Sequence, residues 1–255
     1  MRIRSVKETA KQALKGNWGI AIGVFFINSI LAGIIGAIPE DYNFLYFIAM
    51  FLIIGPLSIG YAWFHLDIKR SHNLSVKTLF QGFTMNYVRN ILTYFLMTLF
   101  TILWTILLII PGIIKGLAYS MTNFILRDRP ELTALQAITE SREIMNGKKK
   151  DLFLLLLSFI PWFIIPFILL IIGFSSMIVG FDSDVSLIFA GGASLIIGLI
   201  AMIGISIYVT PYYMTTLAVF YDDYAKPRTD YIEQEPVSPN HDTTLDNYEL
   251  TKPID

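Results

Sequence analysis

The sequence predicts an all-α, polytopic transmembrane helix bundle of about six spans, with short amphipathic helices on its cytoplasmic side. Three observations carry that prediction. Of 255 residues, 55% are hydrophobic and only 15% are charged, against roughly 25% charged in soluble domains. The mean hydropathy is +0.60. Charge-poor runs of 21 residues or more recur along the chain, and about 20 apolar residues suffice for a helix to cross a bilayer core. This composition excludes a disordered chain, a coiled coil and an ordinary soluble enzyme. With no cysteine, disulfides, thiolate metal sites and Cys nucleophiles are excluded too.

Residues 1–16 form the first element, an amphipathic interfacial helix. Ile3, Val6, Ala10, Ala13 and Leu14 share one face, and Arg4, Lys7, Lys11 and Lys15 the other. A transmembrane domain follows over 17–224, with spans near 18–38, 44–64, 91–110, 113–127, 152–174 and 185–221. The first run is too long for a secretory signal, so it reads as an uncleaved span. The run 91–126 has 36 residues, about 54 Å as one helix. It therefore either forms two helices joined by a tight external turn at Pro111-Gly112, or a re-entrant loop that never reaches the outside. The last span is expected to be kinked near Pro211. Between spans, Ser75 reads as the cap of a helix carrying Leu79, Phe80 and Phe83. Thr133 with Gln136 reads as a capping box ahead of Leu135, Ile138 and Met145.

Loop charges orient the spans. Residues 1–15, 65–90 and 127–151 are rich in Lys and Arg, the last ending in Lys148-Lys149-Lys150. The connections after Ile38 and Phe174 carry only Glu40 and Asp41, and Asp182 and Asp184. Basic loops stay cytoplasmic, so both termini are expected in the cytoplasm. Residues 1–221 hold 16 Lys and Arg against 11 Asp and Glu, whereas 222–255 hold 3 against 9. The basic body suits contact with an anionic leaflet. The acidic, proline-containing tail, 225–255, reads as disordered.

One pattern recurs in order: Pro56, Tyr61 and Asp67; Pro111, Tyr119 and Asp128; Pro211, Tyr213 and Asp222. It reads either as a weak repeat of broken span and acidic end, or as the common reuse of these residues at helix ends. Small residues four apart, Gly19/Gly23, Ser29/Gly33, Ala32/Gly36, Gly112/Gly116 and Ser194/Gly198, allow close helix packing, within the chain or between copies. Lys115 is the one formal charge inside a long apolar run, which makes it a functional candidate. Just past the turn, it is read as snorkelling to the outer interface. Pro161 and Pro166 break one span, as simple kinks or as ion-binding breaks. The hinge and functional candidates are thus Pro111, Gly112, Lys115, Pro161, Pro166 and Pro211. His65, Asp67 and His72 read as interfacial residues rather than metal ligands. No nucleophile elbow, phosphate loop or zincin motif is present.

The stretch Ala13-Leu14-Lys15-Gly16-Asn17-Trp18-Gly19 and the central run Trp104–Lys115, with Ile110-Pro111-Gly112-Ile113, resemble the domain of unknown function 975 family. So does the stretch from Tyr119 and Asp128-Arg129-Pro130 through Ser141 and Gly147-Lys148 to Trp162. The resemblance covers about 1–225; Pro161 stands where the family usually has a small residue, and adds an expected kink. It implies a multi-pass membrane protein, mostly of Gram-positive bacteria, with no known activity. The expectation is a non-enzymatic assembly, envelope or regulatory protein of the bacterial plasma membrane, without cofactor or metal. Its expected partners are the lipid bilayer and either a second copy or an unidentified protein, not nucleic acid. The alternative is a small transporter or channel, with the prolines and Lys115 marking its pathway.

Overall fold

A computed structural model describes residues 3–226, and every regular element among them is helical. The acidic tail lies outside these residues, apart from its first two positions. Helix α1 (Ile3–Leu14) leads through Gly16 into α2 (Trp18–Gly36). Gly16 has φ +84, a left-handed conformation that a residue without Cβ adopts freely. A 3-10 turn (Glu40–Tyr42), α3 (Asn43–Ala49), a π-helical stretch (Met50–Ile54) and α4 (Gly55–Lys69) make one continuous rod. Then come α5 (Lys77–Thr84), α6 (Tyr87–Leu107), α7 (Ile109–Tyr119), α8 (Thr122–Asp128), α9 (Ala134–Ile144) and α10 (Lys149–Leu157). A final hairpin pairs α11 (Pro161–Ser183) with α12 (Val185–Phe220), ending in a π-helical turn (Tyr221–Ala225). Among the described residues, six helices are long and apolar enough to cross a membrane: Trp18–Gly36, Glu40–Lys69, Tyr87–Leu107, Ile109–Asp128, Pro161–Phe181 and Val185–Ala225.

The prolines explain where the helices depart from expectation. Pro56 has no N–H to give to the carbonyl of Leu52. That oxygen, within the π-helical stretch, instead accepts the Tyr87 hydroxyl at 2.9 Å. The tight turn of the central run falls at Leu108, which is extended (φ −159, ψ 135), not at Pro111-Gly112. Pro111 is the third residue of α7, where an amide has no helical acceptor to lose. Gly112 is buried inside α7, and a Cβ there would collide with Thr105 of α6. Pro161 is likewise a helix start. The expected span at 152–174 is divided at Ser158–Ile160, and α11 opens on Pro161. Pro166 and Pro211 lie inside helices, and α12 runs on through Pro211.

Burial is uneven along the spans. In α4, every residue from Gly55 to Ile68 except Ser58 is buried, and in α12 burial concentrates at 209–220. The opposite halves are open: Phe44, Phe47, Ile106, Ile110, Phe174, Phe181 and Phe189 are all more than half exposed. Packing is therefore dense at the basic-loop end, where α1, α5 and α8 surround α4 and α12. Toward the acidic loops the hairpins present apolar side chains outward, as a lipid-facing surface does.

The amphipathic helices largely complete this core. Val6, Ala10 and Leu14 of α1 are fully buried, against α4, α10 and α12. That face, expected to lie on lipid, is occupied by the protein itself. Helix α5 lies against α4 because Gly60 and Gly82 admit the backbone of Leu79 and Pro56. The Thr133–Gln136 capping box forms and starts α9, burying Ile138 and Met145 but leaving Leu135 54% exposed. In the last hairpin, a Cβ on Gly173 or Gly191 would meet the other's carbonyl oxygen at 2.8 or 2.7 Å. Ser194 donates to the Leu169 carbonyl at 2.9 Å. These small residues thus serve contacts within the chain, whereas nothing lies within 4 Å of a Cβ at Gly19, Gly23, Gly33 or Gly36.

Candidate functional site: an ion-paired clamp

The three acidic span ends of the weak repeat meet at the core's basic end. Asp67 and Arg70 lie at or just past the end of α4, Arg127 and Asp128 at the end of α8, and Asp222 in the turn after α12. Arg70 forks onto Asp128, Nη1 to Oδ1 at 2.7 Å and Nη2 to Oδ2 at 2.8 Å. Its Nε and Nη2 also donate to Asp222 Oδ1 at 3.0 and 2.6 Å. Tyr221 Oη donates to Asp128 Oδ2 at 3.0 Å, and Lys226 Nζ lies 3.2 Å from the same atom. Lys69 pairs with Asp223 at 2.9 Å. Burial by itself would lower the Arg70 pKa, but the hydrogen bonds and charges of Asp128 and Asp222 outweigh it and hold the guanidinium charged, above its ordinary value.

A second limb joins α4, α5 and α8. Asp67 lies 3.4 Å from Arg127 and accepts the Thr78 hydroxyl at 3.2 Å. Arg127 also donates to Gln81 and sits 5.2 Å over the Trp63 ring. Trp63 in turn donates to the Asn123 carbonyl at 2.8 Å. Asp67, Asp128, Asp222 and Asp223 thus face Lys69, Arg70, Arg127 and Lys226, four charges of each sign. Behind them lies His65, fully buried, its Nδ1 2.8 Å from Thr215 Oγ1. His65 Nε2 and the Tyr61 hydroxyl have no hydrogen-bond partner among the described residues.

The hinge and charge candidates expected from sequence do not share this site. Pro111 lines an 820 Å³ groove with residues 105–110. Lys115 lies in a different, 360 Å³ pocket beside Arg142 and Lys149. Pro161, Pro166 and Pro211 line neither. Lys115 was expected near an outer interface, yet its neighbours come from the basic segment 127–151. The reason is that α7 lies against α9 and α10. The recurring Asp67, Asp128 and Asp222 were visible as a pattern. Arg70, the counter-ion of Asp128 and Asp222, was not singled out, because these partners are 58 and 152 residues away.

Helices of this length and apolarity, packed around a charged core at one end, define a polytopic all-α protein of membrane-spanning type. The chain belongs to the family described as "Protein of unknown function (DUF975)", whose model matches residues 1–115 and 105–226. Neither the curated proteins nor the solved structures compared with it give a match.

Proposed function

We propose that this chain is a non-enzymatic assembly or regulatory protein of the bacterial cytoplasmic membrane, with residues 1–16, 65–90 and 127–151 on the cytoplasmic side together with both termini. One observation carries the reading: the charges at the span ends neutralise each other in the clamp. Ion pathways keep ionisable groups turned toward a water-filled cavity. Here the acids and bases instead tie α4, α8 and the end of α12 to one another. The His65–Thr215 pair is fully buried, which denies it a substrate and supports a non-catalytic role. The bilayer is the first partner, and the basic face suits anionic lipid. A second copy or an unidentified protein completes the proposed partners; nucleic acid and cofactors have no part in the reading.

The test is flux. Purified protein in proteoliposomes, under imposed proton and potassium gradients, is expected to leak no faster than protein-free vesicles. Protein-dependent flux that disappears in His65→Phe would overturn the proposal in favour of a small transporter or channel. Two of the buried polar atoms that lack a partner among the described residues, Tyr61 Oη and His65 Nε2, are what favour that second reading.

A further inference from the structure

Outside the clamp, the junction of α7, α9 and α10 is charged in a different way. Its 360 Å³ pocket is lined by Lys115, Arg142 and Lys149, with Glu143 the only acid and Asn146 and Thr139 as neutral polar groups. None of the three cations is in a salt bridge with a described residue. Lys115 instead lies 4.5 Å over the Trp104 ring. Three cations around one acid repel each other unless an anion joins them. A second pocket, 420 Å³ and almost wholly apolar, adjoins the first through Ile114 and Lys149. Ile110, Ile113, Leu117 and Phe153 form its walls, with Lys150 also lining it. A cationic pocket opening into an apolar groove matches an amphiphile with an anionic head.

We propose that this junction binds an anionic phospholipid. Lys115, Arg142 and Lys149 hold the phosphate, and one acyl chain lies along Ile110, Ile113 and Phe153. A free phosphate would use only the first pocket and leave the apolar groove without an occupant, so the lipid is the source that accounts for both. Trp104 beside Lys115 fits this depth, since Trp favours the level of the headgroups. Membership of the inner leaflet rests on the cytoplasmic placement of 127–151 proposed above. The binding itself does not, and in detergent the two are read separately.

The experiment is native mass spectrometry of the full chain in detergent with equal dioleoyl phosphatidylglycerol and dioleoyl phosphatidylcholine. The wild type is expected to retain phosphatidylglycerol selectively. Lys115→Gln is expected to weaken that binding about five-fold, and the triple Lys115→Gln/Arg142→Gln/Lys149→Gln by more than about 30-fold. A control triple, Lys11→Gln/Lys15→Gln/Lys77→Gln, removes as much charge elsewhere and is expected to bind as the wild type does. Ile110→Trp fills the groove without touching a charge and is expected to weaken lipid binding roughly ten-fold. Ile110 is 71% exposed, so this change leaves the fold intact. Equal losses in the two triples, equal retention of phosphatidylcholine, or full competition by glycerol phosphate would each overturn the proposal.

Discussion

Asp128 is held by three partners in the clamp, with Arg70, Lys226 and Tyr221 all on its two oxygens. Its side chain is 9% exposed and that of Arg70 is 21% exposed, so the pair is shielded from the screening that makes surface ion pairs weak. Removing one member leaves the other's charge poorly solvated. Asp128→Asn is therefore expected to cost about 3 kcal/mol, read as a lower midpoint of thermal unfolding in detergent. Arg70→Lys keeps the charge but loses the fork, and is expected to fall between that variant and the wild type. Lys7 is the opposite case. Its ammonium donates to Ser158 at 3.0 Å and lies 4.1 Å from the Phe159 ring centre, with Tyr212 beyond and no acid among the described residues bonded to it. Burial there lowers its pKa below the ordinary 10.5. Between the folded and unfolded values the unfolded chain binds more protons, so stability rises with pH through that window. Raising the pH from about 8 toward 10.5 should stabilise the wild type relative to Lys7→Met. Parallel melting curves with no convergence would contradict this.

At the scale of elements, the α4–α5 contact shows what the small residues do. A Cβ on Gly60 would fall on the Leu79 carbonyl, and one on Gly82 on that of Pro56. Both obstacles are backbone, which has no rotamer to yield. Gly60→Ala is expected to separate α5 from α4, exposing Leu79 and lowering the unfolding midpoint sharply. Gly23→Ala, with open space around its Cβ, is expected to leave the midpoint unchanged or raise it slightly. Equal behaviour of the two variants in the same melting assay would count against the close packing. Such contrasts also mark what the sequence could reveal. The Thr133–Gln136 box was readable because capping needs only three residues of spacing. The apolar face of α1 was readable as a face, but not its partner, because protein and lipid present the same demand to Val6, Ala10 and Leu14. Pro111-Gly112 carried a strong turn signal, yet both residues also suit the first turn of a helix beside Thr105. Only the packing of α6 on α7 decides between these uses.

For the whole molecule, the position of Lys115 bears on how the middle of the chain meets the bilayer. Both flanks of α6–α8 are basic, which an even number of crossings and a re-entrant hairpin satisfy equally. Lys115 shares its pocket with Arg142 and Lys149, from the segment 127–151, which holds six Lys and Arg against five Asp and Glu. Leu108, at the tip of the hairpin, is seven residues from Lys115, about 10 Å along a helix. Long Lys and Arg side chains add several ångströms, but the sum falls short of a core about 30 Å thick. Helix α6, at 21 residues, is about 31 Å long and is itself long enough to cross. A hairpin that enters from the basic side and returns therefore follows only where Lys115, Arg142 and Lys149 sit at the inner headgroup level, as proposed above. Because the chain has no cysteine, single cysteines report this directly. In intact cells, a membrane-impermeant maleimide is expected to label Asp41→Cys but neither Lys115→Cys nor Lys149→Cys. After permeabilisation, Lys115→Cys should label together with Lys149→Cys. Labelling of Lys115→Cys in intact cells at the rate of Asp41→Cys would place the tip outside. The α6–α8 pair would then cross fully, and Lys115 would stand apart from the headgroups of the inner leaflet.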